Sequence, residues 1–166
     1  MDPSSPGMKE IIEAVGVLHR GDKADARTRL LALWDEHSAN GERLLMCVTA
    51  HYLADTETEA ADELEWDLQA LELATGSRET DNLEPFSPDL INFLPSLHGS
   101  VGNGYRWLGD LERARQHVGF ATARVGVLAD DAYGQLVRGG LRRIEVALDM
   151  SSSPVPEAAQ PTASDT

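Results

Sequence analysis

The chain has 166 residues, 42% of them hydrophobic, with 28 acidic and 14 basic side chains and a net charge of −14. That charge argues against nucleic acid as a partner, because every phosphate contact would meet a repulsive field. One cysteine, Cys47, excludes an internal disulfide and suits a reducing cytoplasm; no apolar run is long enough for a membrane span.

Residues 1–7 are rich in Pro and Ser and read as a loose N-terminus without the basic and apolar regions of a secretory signal. From Met8 onward, apolar residues recur at intervals of three and four, and no stretch alternates as a strand would. Ile11, Ile12, Val15 and Leu18 mark a first helix, stopped near Arg20 by Gly21-Asp22. Ala26, Leu30, Leu33 and Trp34 mark a second, to about His37, with Asn40-Gly41 as the following turn. Leu44, Leu45, Val48, Tyr52 and Leu53 define a third. A fourth, from about Glu59, carries Leu64, Leu68 and Leu71 and ends near Gly76.

Residues 77–94 form a connection long for a helix–helix loop, with Pro85 and Pro88 and a short turn opened by Ser87-Pro88-Asp89. Pro95-Ser96 starts a fifth helix, to about Leu108, and Gly109-Asp110 breaks it. Leu111, Ala114, Val118, Ala121 and Val125 carry the sixth. The seventh spans about Asp131 to Met150, with Tyr133, Val137, Leu141, Ile144 and Leu148 on one side. Its one-sidedness suits an element that closes a stack. Residues 151–166 hold almost no large apolar side chain and read as a disordered tail, leaving residues 8–150 as the domain.

The first and last helix pairs repeat each other. Val17-Leu18-His19-Arg20-Gly21-Asp22 and Tyr105-Arg106-Trp107-Leu108-Gly109-Asp110 occupy the same place, each followed at one interval by Ala26 or Ala114 and then by Leu30 or Val118. Gly lets the chain turn, Asp caps the next helix, and Ala admits close helix approach. With Val101, Gly102 and Ala121, the last pair resembles a tetratricopeptide repeat; the first matches through Ala14, Val17, Gly21, Asp22, Ala26 and Leu30. In the second pair Tyr52 and Ala61 can be aligned, although Asp55-Thr56-Glu57-Thr58 replaces the Gly-Asp turn. The resemblance implies an all-α, TPR-like right-handed stack of three helix-turn-helix pairs plus a C-terminal capping helix.

It also implies a groove lined by the first helix of each pair. By register, those positions are Met8, Ile11, Val15 and His19, then Arg43, Met46, Ala50 and Leu53, then Ser96, Gly99, Asn103, Arg106 and Trp107. Asn103 suits a ligand backbone, Arg106 a carboxylate, and Trp107 an apolar platform with one donor; the alternative is that Trp107 packs under the seventh helix and Arg106 is solvated. A second candidate surface is acidic. From Asp55 to Asp89 there are twelve acids against Arg78 alone, and Asp62, Glu63, Glu65 and Asp67 cluster on the fourth helix, as a docking face for a basic partner or simply a solvated face.

Cys47 and His51 stand four apart on one helix, half of a zinc-ligand pattern, with His98 in the equivalent helix of the next pair. A structural zinc site needs four ligands, so no metal and no cofactor is expected. Gly99-Ser100-Val101-Gly102-Asn103-Gly104 lies within a helical period and lacks the lysine of a phosphate loop. No catalytic residue is assigned. The leading expectation is a non-enzymatic module binding a protein or peptide through the groove or the acidic face. The alternative is an accessory enzyme, or a sensor holding a small molecule or metal near Cys47, His51 and His98. The apolar ends of a three-pair stack would also support self-association.

Overall fold

A computed structural model describes residues 4–78 and 87–152. They form seven α-helices and no strand: α1 (Pro6–His19), α2 (Lys23–Asn40), α3 (Arg43–Ala54), α4 (Ala60–Thr75), α5 (Leu94–Trp107), α6 (Leu111–Ala123) and α7 (Ala132–Ser152). Short 3-10 turns occupy Pro88–Leu90 and Val125–Val127. The all-α expectation therefore holds for the described residues. α1 opens at Pro6, inside the stretch read as loose, because a proline at the first turn loses no hydrogen bond and presets φ. Part of the expected 77–94 connection and nearly all of the expected tail lie outside the described residues; Ser151 still belongs to α7.

Helices adjacent in sequence pack on one another: α1 on α2, α3 on α4, α5 on α6. α2 contacts α3, α4 contacts α5, and α7 packs against both α5 and α6. The matched Gly-Asp turns have matched geometry. Gly21 and Gly109 adopt φ +94° and +83°, a region that favours glycine. Asp22 and Asp110 then cap α2 and α6, accepting the N–H of Asp25 at 3.1 Å and of Arg113 at 3.0 Å. Each such cap contributes roughly 1 kcal/mol.

Where the second pair lacks this turn, side chains hold the connection. Glu57 Oε1 accepts from Arg27 Nη2 at 3.1 Å and from Trp66 Nε1 at 3.1 Å, tying the loop to α2 and α4. Trp66 meets Trp34 edge-to-face at 5.2 Å between ring centres. One continuous core draws on all seven helices, from Ile11 and Leu30 through Leu53 and Leu71 to Leu97 and Val101, all fully enclosed, and on to Val118 and Leu148. A smaller cluster of Ala121, Leu128, Val137 and Leu141 seats α7.

Burial bears on the internal register. Ala14, Ala50 and Gly102 are all buried, as are Val17, Leu53 and Tyr105, whereas Tyr52 is half-buried. By this pattern Leu53, rather than Tyr52, corresponds to Tyr105, one residue from the expected alignment. Ala61 is exposed, unlike buried Ala26 and Ala114.

Candidate functional site: a groove along α1, α3, α5 and α7

The first helices of the three pairs, with α7, line a groove of neighbouring chambers. One chamber of about 600 Å³ is lined by Met8, Ile11, Val15 and His19 of α1, Val48 and Tyr52 of α3, Phe93, and Tyr133 of α7. Every expected α1 position is there. A second chamber, of about 420 Å³, shares His19, Tyr52, Phe93 and Tyr133 with the first. It adds His51, Asp55, Glu63, Ser96, Gly99 and Asn103. A third, of about 350 Å³, is framed by Asn103, Arg106 and Trp107 against Gly140, Arg143 and Ile144.

The α3 expectations need correction. Arg43 does not face the groove: its Nε donates to the Leu73 carbonyl at 2.7 Å and its Nη2 to that of Glu72 at 3.2 Å, closing the C-terminus of α4. Met46 packs half-buried against the core, and Ala50 and Leu53 lie wholly within it. Val48, His51, Tyr52 and Asp55 take their places. The reason is the register slip, since one residue turns a helix by about 100°. On α5, Ser96, Gly99, Asn103, Arg106 and Trp107 all line the groove. Trp107 is 63% exposed, with the Arg106 guanidinium 4.2 Å from its ring centre. Arg106 also donates twice to Asn103 Oδ1, at 3.1 and 2.9 Å. The amide N–H donors of Asn103 take no part in that contact.

The acidic cluster does not form one face. Asp62 is exposed, and Glu65 is exposed but paired with Arg78 at 2.7 Å, which also holds Glu72. Glu63 is half-buried at the groove wall, where burial, then Asp67 and Asp55, raise its pKa above the ordinary carboxylate value. Asp67 is buried and accepts His51 Nδ1 at 3.2 Å. Helical periodicity splits the four: positions 62 and 65 face water, 63 the groove and 67 the core.

The three residues considered for a metal engage different partners. Cys47 Sγ contacts the Ala70 carbonyl at 3.3 Å, and burial pushes its thiol up to about 12. His98 faces His117, with Nδ1 atoms 3.2 Å apart. His51 turns to Asp67. Among the described residues, no group of three or more His, Cys, Asp or Glu side chains is arranged to hold a metal ion.

In the sequence Ser96, His51 and Asp67 belong to three separate patterns: a groove position, half of a metal-ligand pair and an acidic run. The fold joins them. His51 Nε2 points at Ser96 Oγ, 3.5 Å away, while Nδ1 meets Asp67. The His51 ring stands edge-on to Phe93, 5.0 Å between centres. Burial opposes charge on His51, but Asp67, with a further contribution from Asp55, outweighs it and raises the imidazole pKa above its usual value.

Compared with protein-family models, curated proteins and solved structures, the chain matches none. The site must therefore be read from its own chemistry.

Proposed function

We propose that the chain is a TPR-like binding module that holds an extended peptide in this groove, with an apolar side chain of the ligand beside a basic one. The observation that carries the reading is an apolar chamber beside an acidic one, with His19, Tyr52, Phe93 and Tyr133 lining both. Exposed Ile12 and half-buried Tyr52, backed by buried Met8, Val15, Val48 and Phe93, supply a surface that gains from excluding water. Asp55 and Glu63 stand in the adjoining chamber, and their mutual repulsion is part of what raises the Glu63 pKa. A ligand cation there would relieve that repulsion. Asn103, its oxygen tied to Arg106, offers amide donors for a ligand backbone carbonyl. The order of helix contacts, the paired Gly-Asp caps and the matched small residues Ala14, Ala50 and Gly102 support a TPR-like stack. The net charge of −14 favours a basic ligand over a nucleic acid.

Selection from a random peptide display library, followed by calorimetry, tests the proposal. Binders should carry Lys or Arg next to a large apolar residue. Gly16 lines the apolar chamber, and a Cβ there would meet only the flexible end of Arg20, at 3.4 Å. Gly16→Leu should therefore fill the groove without unfolding α1, lowering affinity at least about tenfold. Selected peptides without a basic residue, or full affinity in Gly16→Leu, would overturn the reading.

A further inference from the structure

We propose that Ser96, with His51 as its base and Asp67 as the residue positioning that base, hydrolyses acyl esters whose acyl group lies in the apolar chamber of the groove. This activity goes beyond peptide binding and does not depend on the occupant inferred above. The argument begins with where the three side chains come from. Ser96 stands in the first turn of α5, His51 near the end of α3, and Asp67 in the middle of α4. Three helices converge to order one hydroxyl, one imidazole and one carboxylate in a line.

Asp67 is an acceptor, so the tautomer it favours carries the proton on Nδ1. That leaves the Nε2 lone pair facing Ser96 Oγ at 3.5 Å, the loose spacing common where a nucleophile and its base await substrate. Asp67 is 2% exposed and cannot turn away into water, while the edge of Phe93 confines the ring. Ser96 itself is half-buried and lines the 420 Å³ chamber, so a substrate carbonyl can reach it. Nucleophile, base and orienting acid are recognised by such geometry and roles, not by sequence order.

The neighbouring groups set the substrate. Tyr133 lines the same chamber as Ser96, and desolvation pushes its phenol up to about 12, keeping it a proton donor at neutral pH. As a hydroxyl donor lining that chamber, it is assigned to the oxyanion that forms on the substrate carbonyl oxygen when Ser96 adds. Tyr52, Phe93 and Tyr133 border both this chamber and the 600 Å³ apolar one, which receives the acyl chain. In the reaction, Ser96 Oγ bonds to the ester carbonyl carbon and its proton passes to His51 Nε2. Collapse breaks the bond to the alkoxy group, which leaves as the alcohol with that proton. Water then attacks the acyl-serine, gives a proton to Nε2, and releases the carboxylic acid as Ser96 recovers its hydroxyl. No oxidant, reductant or further reactant is needed.

Incubation of the full chain with a fluorophosphonate probe at pH 8, followed by peptide mass spectrometry, tests the nucleophile. Adduct on Ser96 is expected, and none on Ser96→Ala or His51→Gln when circular dichroism shows both folded. Hydrolysis of p-nitrophenyl octanoate should exceed that of the acetate at least about tenfold in kcat/KM, because the longer chain reaches the apolar chamber. Tyr133→Phe should lower kcat about tenfold or more with KM little changed. The rate should rise with pH as His51 loses its proton, and Asp67→Asn should displace that rise to lower pH, a change that packing alone would not produce. The proposal is overturned if Ser96 stays unlabelled in the folded wild-type chain, if folded His51→Gln labels as fast, or if the wild type hydrolyses neither ester above the Ser96→Ala background. Should His51→Gln fail to fold, Tyr133→Phe and the pH profile still decide.

Discussion

Acid should unfold this protein in part through one enclosed imidazole pair. His98 and His117 face each other inside the α5–α6 contact, beside Tyr105 and Phe120. Burial, then the nearby His117, then Arg124, bring the His98 pKa from 6.5 down to about 3. Above pH 6.5 the imidazole is neutral both in the fold and in the unfolded chain, so it adds no pH dependence. Between 6.5 and 3 the unfolded chain binds a proton that the fold refuses, and stability falls as pH falls, by up to about 1.4 kcal/mol per pH unit. At pH 5 the loss is about 2 kcal/mol. The His51–Asp67 pair has the opposite sign, because both pKa values are raised in the fold. The comparison must therefore be between wild type and His98→Gln, which share that pair. Urea midpoints at pH 7.5 and pH 5, followed by circular dichroism, give the two pH sensitivities. Wild type should lose about 1 M more in midpoint than the variant between the two pH values. Equal losses would show that His98 accepts a proton without cost, and the argument from its enclosure would fail.

Two further outcomes can be checked. Gly102→Ala would set a Cβ 2.8 Å from Val118 Cγ2 and 3.1 Å from the Ala114 carbonyl oxygen, so α5 and α6 must part. A loss of about 1–3 kcal/mol is expected in thermal melts, whereas Gly119→Ala, with nothing within 4 Å, should be neutral or stabilising by up to about 1 kcal/mol. Cys47, with its thiol pushed up to about 12, should react with a disulfide reagent at pH 8 at least about a hundredfold more slowly in the folded chain than in urea.

The helices were legible because three- and four-residue periodicity survives in each of them, and because Gly21-Asp22 and Gly109-Asp110 act locally: one residue reverses the chain and the next caps the helix. The same locality explains the error in α3. Where Glu57 holds the connection through Arg27 and Trp66, the fixing contacts lie elsewhere in sequence, and nothing nearby sets the register. A slip of one residue was enough to send Arg43 to the end of α4 and to bring His51 to the groove. Asp67 looked like one charge in an acidic run; only the approach of α3 shows it as the partner of an imidazole. Ser96, His51 and Asp67 lie on three helices with no characteristic spacing, so their meeting is a property of packing. Asn103, Arg106 and Trp107 were easier, since all three lie on one helix whose register the Gly109-Asp110 turn anchors.

The apolar chamber draws its walls from α1, α3 and α7, so Met8 near the start of the described chain and Tyr133 near the start of its last helix border one space. A molecule lodged there is coupled thermodynamically to both ends of the fold. Opening either terminal helix would forfeit its binding energy, so fraying at one end should be suppressed by contacts made at the other. At a hundred times its dissociation constant, such an occupant would add about 2.7 kcal/mol to the unfolding free energy. The signature would be slower amide exchange in α1 and α7 together, two segments separated by most of the polypeptide and responding as one.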